Sequence, residues 1–413
     1  LFLVTGVNVE EHDVIIVGGG PAGSACAVFL GREGYDILLI DKANFPREKI
    51  CGGAISGKSL TVLKELGLPT EVEKISHAKV YGLTFSSPNG RVLKIPMKDP
   101  QNNYGYVSKR VDFDNVLFQN AKKYVKTMEH FQVTDIIREG DKVVGVKGTD
   151  LKTNKPYEFR SKVVVGADGA TSIVAQKLGL ADVDEAHHCI ALRAYYEGVK
   201  GMDNTIELHF TESLLPGYFW IFPAGPDGFA NVGLGMLTKD IKKKKINLKE
   251  VMFKEIEQNP LFKERFADAK LVSEVSGWTL PLASKMKKMA GNGWVLIGDA
   301  ASLIDPFSGE GIGNGMTSGK IAFRTISKAL RVGNTTEEIL REYEMELKRE
   351  IKEEVGISYT LQRLGKFKFL LNLVIDKASR NKELQEQISG MLMNEEAKKS
   401  FVSPLFYLKV LLS

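Results

Sequence analysis

The sequence predicts an α/β fold with α+β elements: a nucleotide-binding domain, an antiparallel-sheet domain and a helical C-terminal region. Three observations predict it. Residues 13–41 read as strand, glycine-rich turn, helix and strand. Residues 188–238 alternate apolar and polar and are rich in aromatics. Beyond about residue 335 apolar residues and alternating charges recur at helical spacing.

The first stretch is the most specific. Asp13–Val17 (DVIIV) leads into Gly18-Gly19-Gly20-Pro21-Ala22-Gly23, a helical run follows from Ala25 to Arg32, and YDILLID ends at Asp41. Gly18 permits a tight turn, Gly20 lets backbone approach a pyrophosphate, and Gly23, after Ala22, lets the helix pack close to the strand. The open N–H groups of that helix then face the phosphates. Asp41, 18 residues after Gly23 and followed by Lys42, is placed to accept ribose hydroxyls. The unit is Rossmann-like.

Bulk composition narrows the rest. The 413 residues are 43% hydrophobic and 26% charged, a globular balance long enough for two or three domains. A net charge of +5 is spread along the chain, so no nucleic-acid partner is expected. The densest run, Lys242–Lys245, reads as an exposed turn. Cys26, Cys51 and Cys189 are too few and scattered for a disulfide framework, an iron–sulfur cluster or a zinc site. The first dozen residues are too short and acidic for a signal peptide, and no apolar run reaches spanning length. A cytoplasmic protein is expected, peripheral at most at the inner face of a membrane.

The remaining elements follow in order. Residues 44–56 (NFPREKICGGAIS) form a Gly- and Pro-bearing loop, and Gly57–Leu66 a helix. Residues 78–97 make a hairpin around SPNG, and 113–126 an amphipathic helix. Strands 131–138 and 142–149 turn at EGD. Val163–Val165 is a buried strand ending in GADGATS. A helical stretch is expected at 247–268, a strand-to-loop junction at 294–301, and a long helix opening from the glycines at 309–315. The expected domains are 1–78, 106–180 and 276–330 for the nucleotide, 79–105 and 181–275 for the substrate sheet, and 331–413 for the helical region. No group of His77, His187 and His188 with carboxylates has a metal spacing, so no metal is assigned.

Three motifs carry a family likeness: GGGPAG at 18–23, GADG at 166–169, and GDAA at 298–301 with Asp305-Pro306 and GEGIGNG behind it. Over roughly 12–330 the chain resembles the FAD-dependent class typified by p-hydroxybenzoate hydroxylase, and within it the geranylgeranyl reductases. The likeness is sharpest in PGYFWIFPAGPDGFANVGLG, 216–235. It implies FAD as cofactor, with Arg47, Cys51, Gly52, Ala54, Arg110, Val133, Asp168, Asp299, Gly311, Ile312 and Gly313 at its site beside the residues already named. It implies that Tyr218, Trp220, Phe222, Pro223, Gly233 and Gly235 shape a substrate pocket. Cys51, Tyr218 and Trp220 are the catalytic candidates, Cys51 lying beside the flavin ring. On the residues alone, alternatives stand. Asp168 can be a structural turn, Arg110 a surface ion pair with Asp112 or Asp114, the aromatics a plain core strand, and Cys51 a small buried hydrophobe.

The activity this likeness implies is reduction of isoprenoid C=C bonds in geranylgeranyl diphosphate, a geranylgeranylated lipid or pigment, or a polyprenyl quinone tail. A proton would come from Cys51, Tyr218 or a water. The alternatives are a flavin monooxygenase and an electron-transfer flavoprotein acting on quinone. Tyr218-x-Trp220-x-Phe222-Pro223 departs from the halogenase Trp-x-Trp-x-Ile-Pro, which argues against halogenation. No second dinucleotide motif appears, so a transient donor such as NAD(P)H, reduced ferredoxin or a quinol is expected. A monomer is expected. The apolar segments 366–375 and 403–413, edged by Lys, read as capping helices or as a lipid-facing surface.

Overall fold

The computed structural model describes residues 10–97 and 104–386. The first nine residues and the apolar segment 403–413 lie outside them. The strand Glu10–Val17 sits at the centre of one sheet, parallel to Pro156–Gly166 on one side and Ile37–Ile40 on the other. Val14–Val17, Ile37–Ile40 and Val163–Val165 are all buried. Unbroken apolar runs are what a parallel strand covered on both faces requires. Lys126–Met128 extends the sheet beyond Ile37–Ile40, and Trp294–Leu296 with Ala290–Gly291 closes the other edge. The antiparallel pair Phe131–Glu139 and Lys142–Asp150 joins it through Pro156–Gly166.

Helix Pro21–Arg32 packs against helices Arg110–Ala121 and Ile312–Arg331. Two glycines let it come so close. A Cβ on Gly23 would lie 1.9 Å from the Gly18 carbonyl oxygen, and one on Gly319 2.6 Å from that of Ala22.

The second sheet runs in the order 270–271, 188–197, 230–237, 218–223, 206–209, 82–86, 92–96. It is antiparallel except for Ile206–His209, which pairs parallel with Gly82–Ser86. Both faces are covered. Trp220 and Phe222 join one apolar cluster; Phe219, Ile221, Leu234 and Met236 join another, capped by Leu248, Met252 and Ile256 of helix Leu248–Gln258. A small third sheet, 54–55, 105–108 and 77–80, bridges the two.

Several expected boundaries move. Strand Ser276–Pro281 pairs with His188–Arg193, so the second sheet extends past the expected break at 275/276. The helix expected at 113–126 runs Arg110–Ala121, because Lys126–Met128 is drawn into the first sheet beside Leu38–Ile40. The stretch 247–268 splits into Leu248–Gln258 and Lys263–Phe266 around Asn259-Pro260, where proline disfavours helix in the residue before it. Lys242–Lys244 are the last turn of helix Thr238–Lys244, where cations meet the negative helix end.

Helices Glu337–Leu364 and Lys368–Arg380 fill the described part of the C-terminal region. The first is bound into the nucleotide-binding core through Leu340, Tyr343, Leu347, Ile351 and Val355. Tyr343 is wholly buried and donates to the Leu296 carbonyl at 2.9 Å. Tyr343→Phe is expected to cost about 0.5–1.5 kcal/mol, read as a lower urea midpoint of unfolding at unchanged slope.

Candidate active site

A cavity of about 1570 Å³ runs from the first glycine turn to the second sheet. Its floor begins where strand Glu10–Val17 ends. Gly18 adopts φ +108°, and a Cβ there would lie 2.4 Å from the Ala167 carbonyl oxygen. Helix Pro21–Arg32 starts with Gly20 as a cap that has no side chain, and Pro21 behind it. Its first-turn N–H groups therefore face the cavity uncapped, as an anion site needs. Asp41 accepts from Gly19 N–H at 2.8 Å through one oxygen and from Ala43 N–H at 2.8 Å through the other. The carboxylate thus braces the turn while lining the cavity.

The loop 44–56 crosses above. Arg47 donates to Asp114 at 2.9 Å and stacks on Phe45, its carbon 4.7 Å from the ring centroid. Its guanidinium comes within 3.5 Å of where a Gly20 Cβ would stand. Arg110 holds the same wholly buried Asp114 in a forked pair at 2.5 and 2.7 Å. So the Arg110 ion pair is real, but interior where a surface one was considered, and the guanidinium still lines the cavity. Burial opposes its charge; the Asp114 carboxylate more than offsets this and holds its pKa above the ordinary value.

Asp168 lines the cavity and also caps helix Ile173–Lys177, accepting from Ser172 Oγ at 2.5 Å and Ile173 N–H at 2.7 Å. Its turn is thus structural as well as cavity-facing. Asp299 is half-buried, and its desolvation pushes its pKa up; Lys49 and Arg110 pull the other way. Burial in turn pulls Lys49 down to about 8, against the attraction of Asp299. Lys42, Gly52, Ala54, Val133, Gly311 and Ile312 also line the cavity. Gly23 and Gly313 do not. Gly313 makes room for Lys58 Cβ, 3.1 Å from where its own would stand, and donates to Glu310 at 2.7 Å, starting the helix.

On the second sheet Tyr218, Trp220 and Phe222 share the cavity face. Leu208, Phe85 and Phe307 continue the wall. Pro223, Gly233 and Gly235 do not reach it. Pro223 ends its strand. Gly233 acts from behind, since a Cβ there would sit 2.3 Å from the Trp220 ring. Trp220 Nε1–H donates to Asn231 at 2.9 Å, and Asn231 donates to the Cys51 carbonyl at 2.8 Å. The one polar hydrogen of Trp220 is therefore committed, which leaves it as a wall and an anchor, with no proton to deliver. Tyr218 donates to the Ser308 carbonyl at 2.7 Å, and burial pushes its pKa up. Cys51 Sγ accepts from Gly53 N–H at 3.4 Å. Gly52 must lack a side chain, since a Cβ would meet the Phe222 ring at 2.9 Å.

Among the described residues no group of three His, Cys, Asp or Glu is placed to hold a metal. His188 is engaged with Thr238 and Thr279, and His77 with the Ile75 carbonyl.

The family model of the FAD binding domain matches residues 11–355. A digeranylgeranylglycerophospholipid reductase of Methanocaldococcus jannaschii is 32% identical over 399 residues, 94% of this chain and 95% of that protein. The chain belongs to the geranylgeranyl reductase family of FAD-dependent oxidoreductases. A menaquinone reductase of Mycobacterium tuberculosis is 31% identical over 325 residues, 76% of each chain. Among solved structures, a geranylgeranyl bacteriochlorophyll reductase-like protein of Thermoplasma acidophilum superposes with a TM-score of 0.81 at 26% identity, covering 91% of this chain and 93% of that one. A flavin-dependent brominase at 23% identity, TM-score 0.76, covering 91% and 92%, shares the fold.

The cavity fits the family's cofactor. An uncapped helix start and Arg47 suit its phosphates. Asp41 at one end and Asp299 further in suit ribose and ribityl hydroxyls, and Gly311 brings bare backbone beside Asp299. Four residues escape the sequence reading: Lys49, Asn231, Arg193 and Trp278. Lys49 could have been found from its place two residues before Cys51 in one loop. Arg193 could have been found as a charge at a cavity-facing position of an apolar strand.

Of the three cysteines, burial pushes Cys26 and Cys189 up to about 12, and only Cys51 lines the cavity. Iodoacetamide at pH 8 is expected to label the FAD-free protein at Cys51 alone, and FAD to slow that labelling at least tenfold. Peptide mass mapping checks both.

Proposed function

We propose that this protein reduces carbon–carbon double bonds of an isoprenoid chain borne on a phospholipid or diphosphate. The observation that carries the reading is the apolar arm of the cavity, walled by Tyr218, Trp220, Phe222, Leu208 and Phe85, which leads to the Cys51 loop. An isoprenoid is flexible, apolar and long, and that wall offers hydrophobic area without charge. The relatives named digeranylgeranylglycerophospholipid reductase and menaquinone reductase support it.

FAD, when bound and reduced by an external donor, would supply hydride to one alkene carbon. The chain's own residues do the rest. The glycine turn, Arg47 and Asp41 would hold the dinucleotide; Arg110 and Asp299 would hold its inner part. The aromatic wall excludes water and aligns the alkene. An isolated alkene is a poor hydride acceptor, so a proton must be delivered to the second carbon. Cys51 Sγ is the best-placed donor, because Tyr218 spends its proton on Ser308. Cys51→Ala would lower turnover while leaving FAD bound. The reductant is external, NAD(P)H or reduced ferredoxin, docking transiently. A monomer as the working unit is part of the same proposal.

The reading extends to a peripheral membrane contact. Phe367 and Phe369 are 58% and 69% exposed, flanked by Lys366 and Lys368, while Leu371 and Val374 of the same helix pack on the cluster that holds Trp220. No helix among the described residues is long and apolar enough to cross a membrane.

Anaerobic incubation of the reduced holoenzyme with prenyl diphosphates, prenylated lipids and prenyl quinones is expected to add two hydrogens per double bond, read by mass spectrometry. A strict need for oxygen, with hydroxylated product, would overturn the reading. The double variant Phe367→Ser, Phe369→Ser is expected to lower cosedimentation with anionic liposomes at least fivefold with its flavin spectrum unchanged.

A further inference from the structure

The cavity has a second, polar wall that the apolar reading does not use. It lies at the other edge of the second sheet, on Ser276–Pro281 and His188–Glu197. Arg193 stands opposite Ser276 and Ala191 opposite Trp278, so Arg193, Ser276 and Trp278 face the cavity together. Lys49 reaches them from the loop 44–56, its ammonium 3.8 Å from the Trp278 ring centroid.

These groups are donors that lack acceptors. Arg193 is 6% exposed, and its Nε–H has no hydrogen-bond partner. Its guanidinium stacks on Tyr195 at 4.3 Å and meets one carboxylate, Glu48, at a loose 3.4 Å. The Glu48 side chain is 65% exposed and free to swing into solvent. The buried Trp278 Nε1–H also has no acceptor. Among the described residues Lys49 makes no hydrogen bond or ion pair. Burying a cation and two N–H groups unmatched is unfavourable unless a ligand supplies the missing acceptors.

We infer that Arg193, Trp278 and Lys49 form an oxyanion subsite that takes the phosphate on the head of the substrate, while the chain lies along the aromatic arm. The distances allow it. From strand 276–281 to strand 82–86 there are five strand intervals, roughly 24 Å at sheet spacing, so a head at Trp278 places the chain across Trp220 and towards Phe85. Guanidinium, ammonium and indole N–H suit a phosphate, which offers several acceptor oxygens at once. The inference rests on the proposed reductase activity only for the identity of the tail.

The test uses FAD-loaded protein and two matched ligand pairs: geranylgeranyl diphosphate against geranylgeraniol, and digeranylgeranylglyceryl phosphate against digeranylgeranylglycerol. The pairs separate a diphosphate ester from a phospholipid head. Arg193→Gln is expected to weaken the phosphate-bearing member of at least one pair tenfold or more and leave its alcohol within twofold. Trp278→Phe, which keeps an aromatic ring and loses the N–H, is expected to weaken the same member a few-fold and serves if Arg193→Gln folds poorly. Phosphate affinity should fall as pH rises through about 8, where Lys49 loses its proton. The groups facing Lys49 are Arg47, Cys51, Arg110 and Asp299, with Trp278 against it.

Equal loss of phosphate and alcohol, or no loss, overturns the subsite. So does a variant that weakens NADP+ and no prenyl phosphate, since the site would then serve the electron donor. If the wild type binds prenyl phosphate through Arg193 yet reduces no double bond, the subsite stands and the reductase reading fails. If it reduces alcohols and phosphates alike and Arg193→Gln changes nothing, the reverse holds.

Discussion

Asp114 is the constraint on which the site depends. It is wholly buried and carries two guanidiniums, Arg110 one turn before it on the same helix and Arg47 from the loop 44–56. A carboxylate taken fully out of water is tolerated only when its lone pairs are met, and here the Arg110 fork and a single Arg47 contact meet them. Losing Asp114 would strand the buried Arg110 guanidinium at a cost of about 3–5 kcal/mol. The triad also fastens an otherwise irregular loop to a rigid helix. That loop brings Arg47, Lys49, Cys51 and Gly52 to the cavity, so one buried ion cluster positions most of the chemistry.

The loop's far end is fastened differently, by neutral groups. Asn231, wholly buried, receives the Trp220 N–H and gives its own to the Cys51 carbonyl. Gly53 then turns at φ +77°, its missing Cβ 2.4 Å from the Ser108 carbonyl oxygen. The loop is thus clamped between the two large sheets, by charge on the nucleotide side and by hydrogen bonds on the substrate side. A thiol on such a loop keeps one position relative to both, which delivery of a proton to a fixed carbon requires. The gap it spans is itself held open by small residues: Gly52 against Phe222 and Gly233 behind Trp220.

What was legible in the sequence is what is local. The run 13–41 has its glycines, helix and acid within one βαβ unit, so spacing alone places Gly18, Gly20 and Asp41 around one turn. The alternation of Tyr218, Trp220 and Phe222 likewise fixes their common face through the two-residue period of a strand. Features that depend on which strands become neighbours were not legible. Strand Ser276–Pro281 lies 79 residues or more from its partner strand, and the break placed before it followed chain order, which a sheet need not. Gly233 was expected at the substrate surface because it accompanies the aromatics; only the pairing Trp220 to Gly233 reveals that it lies under the indole. Asp114 carried no signal beyond a helical i,i+4 spacing from Arg110, a pattern more often found at a surface. Arg193 and Trp278 are unremarkable until their strands are placed side by side.

The charge along the cavity then has a direction. At the glycine turn the helix start and Arg47 offer positive potential. In the middle Asp299 and Lys49 nearly cancel, each holding the other closer to its charged state against burial. Past Trp220 the sheet side of the wall is apolar, through Leu208 and Phe85, while Asp305 and Glu310 also line the cavity. A ligand whose anion is held at the polar edge would lay its tail along the apolar face of the sheet. On the proposed reading the arrangement would favour amphiphiles with the charge at one end. Because Lys49 also lies within the field of Asp299, the arrival of an anion at Trp278 would favour the protonated lysine, and through it the ionised Asp299. Head-group binding at the inferred subsite and the charge state of Asp299 would in this way be linked through a single side chain.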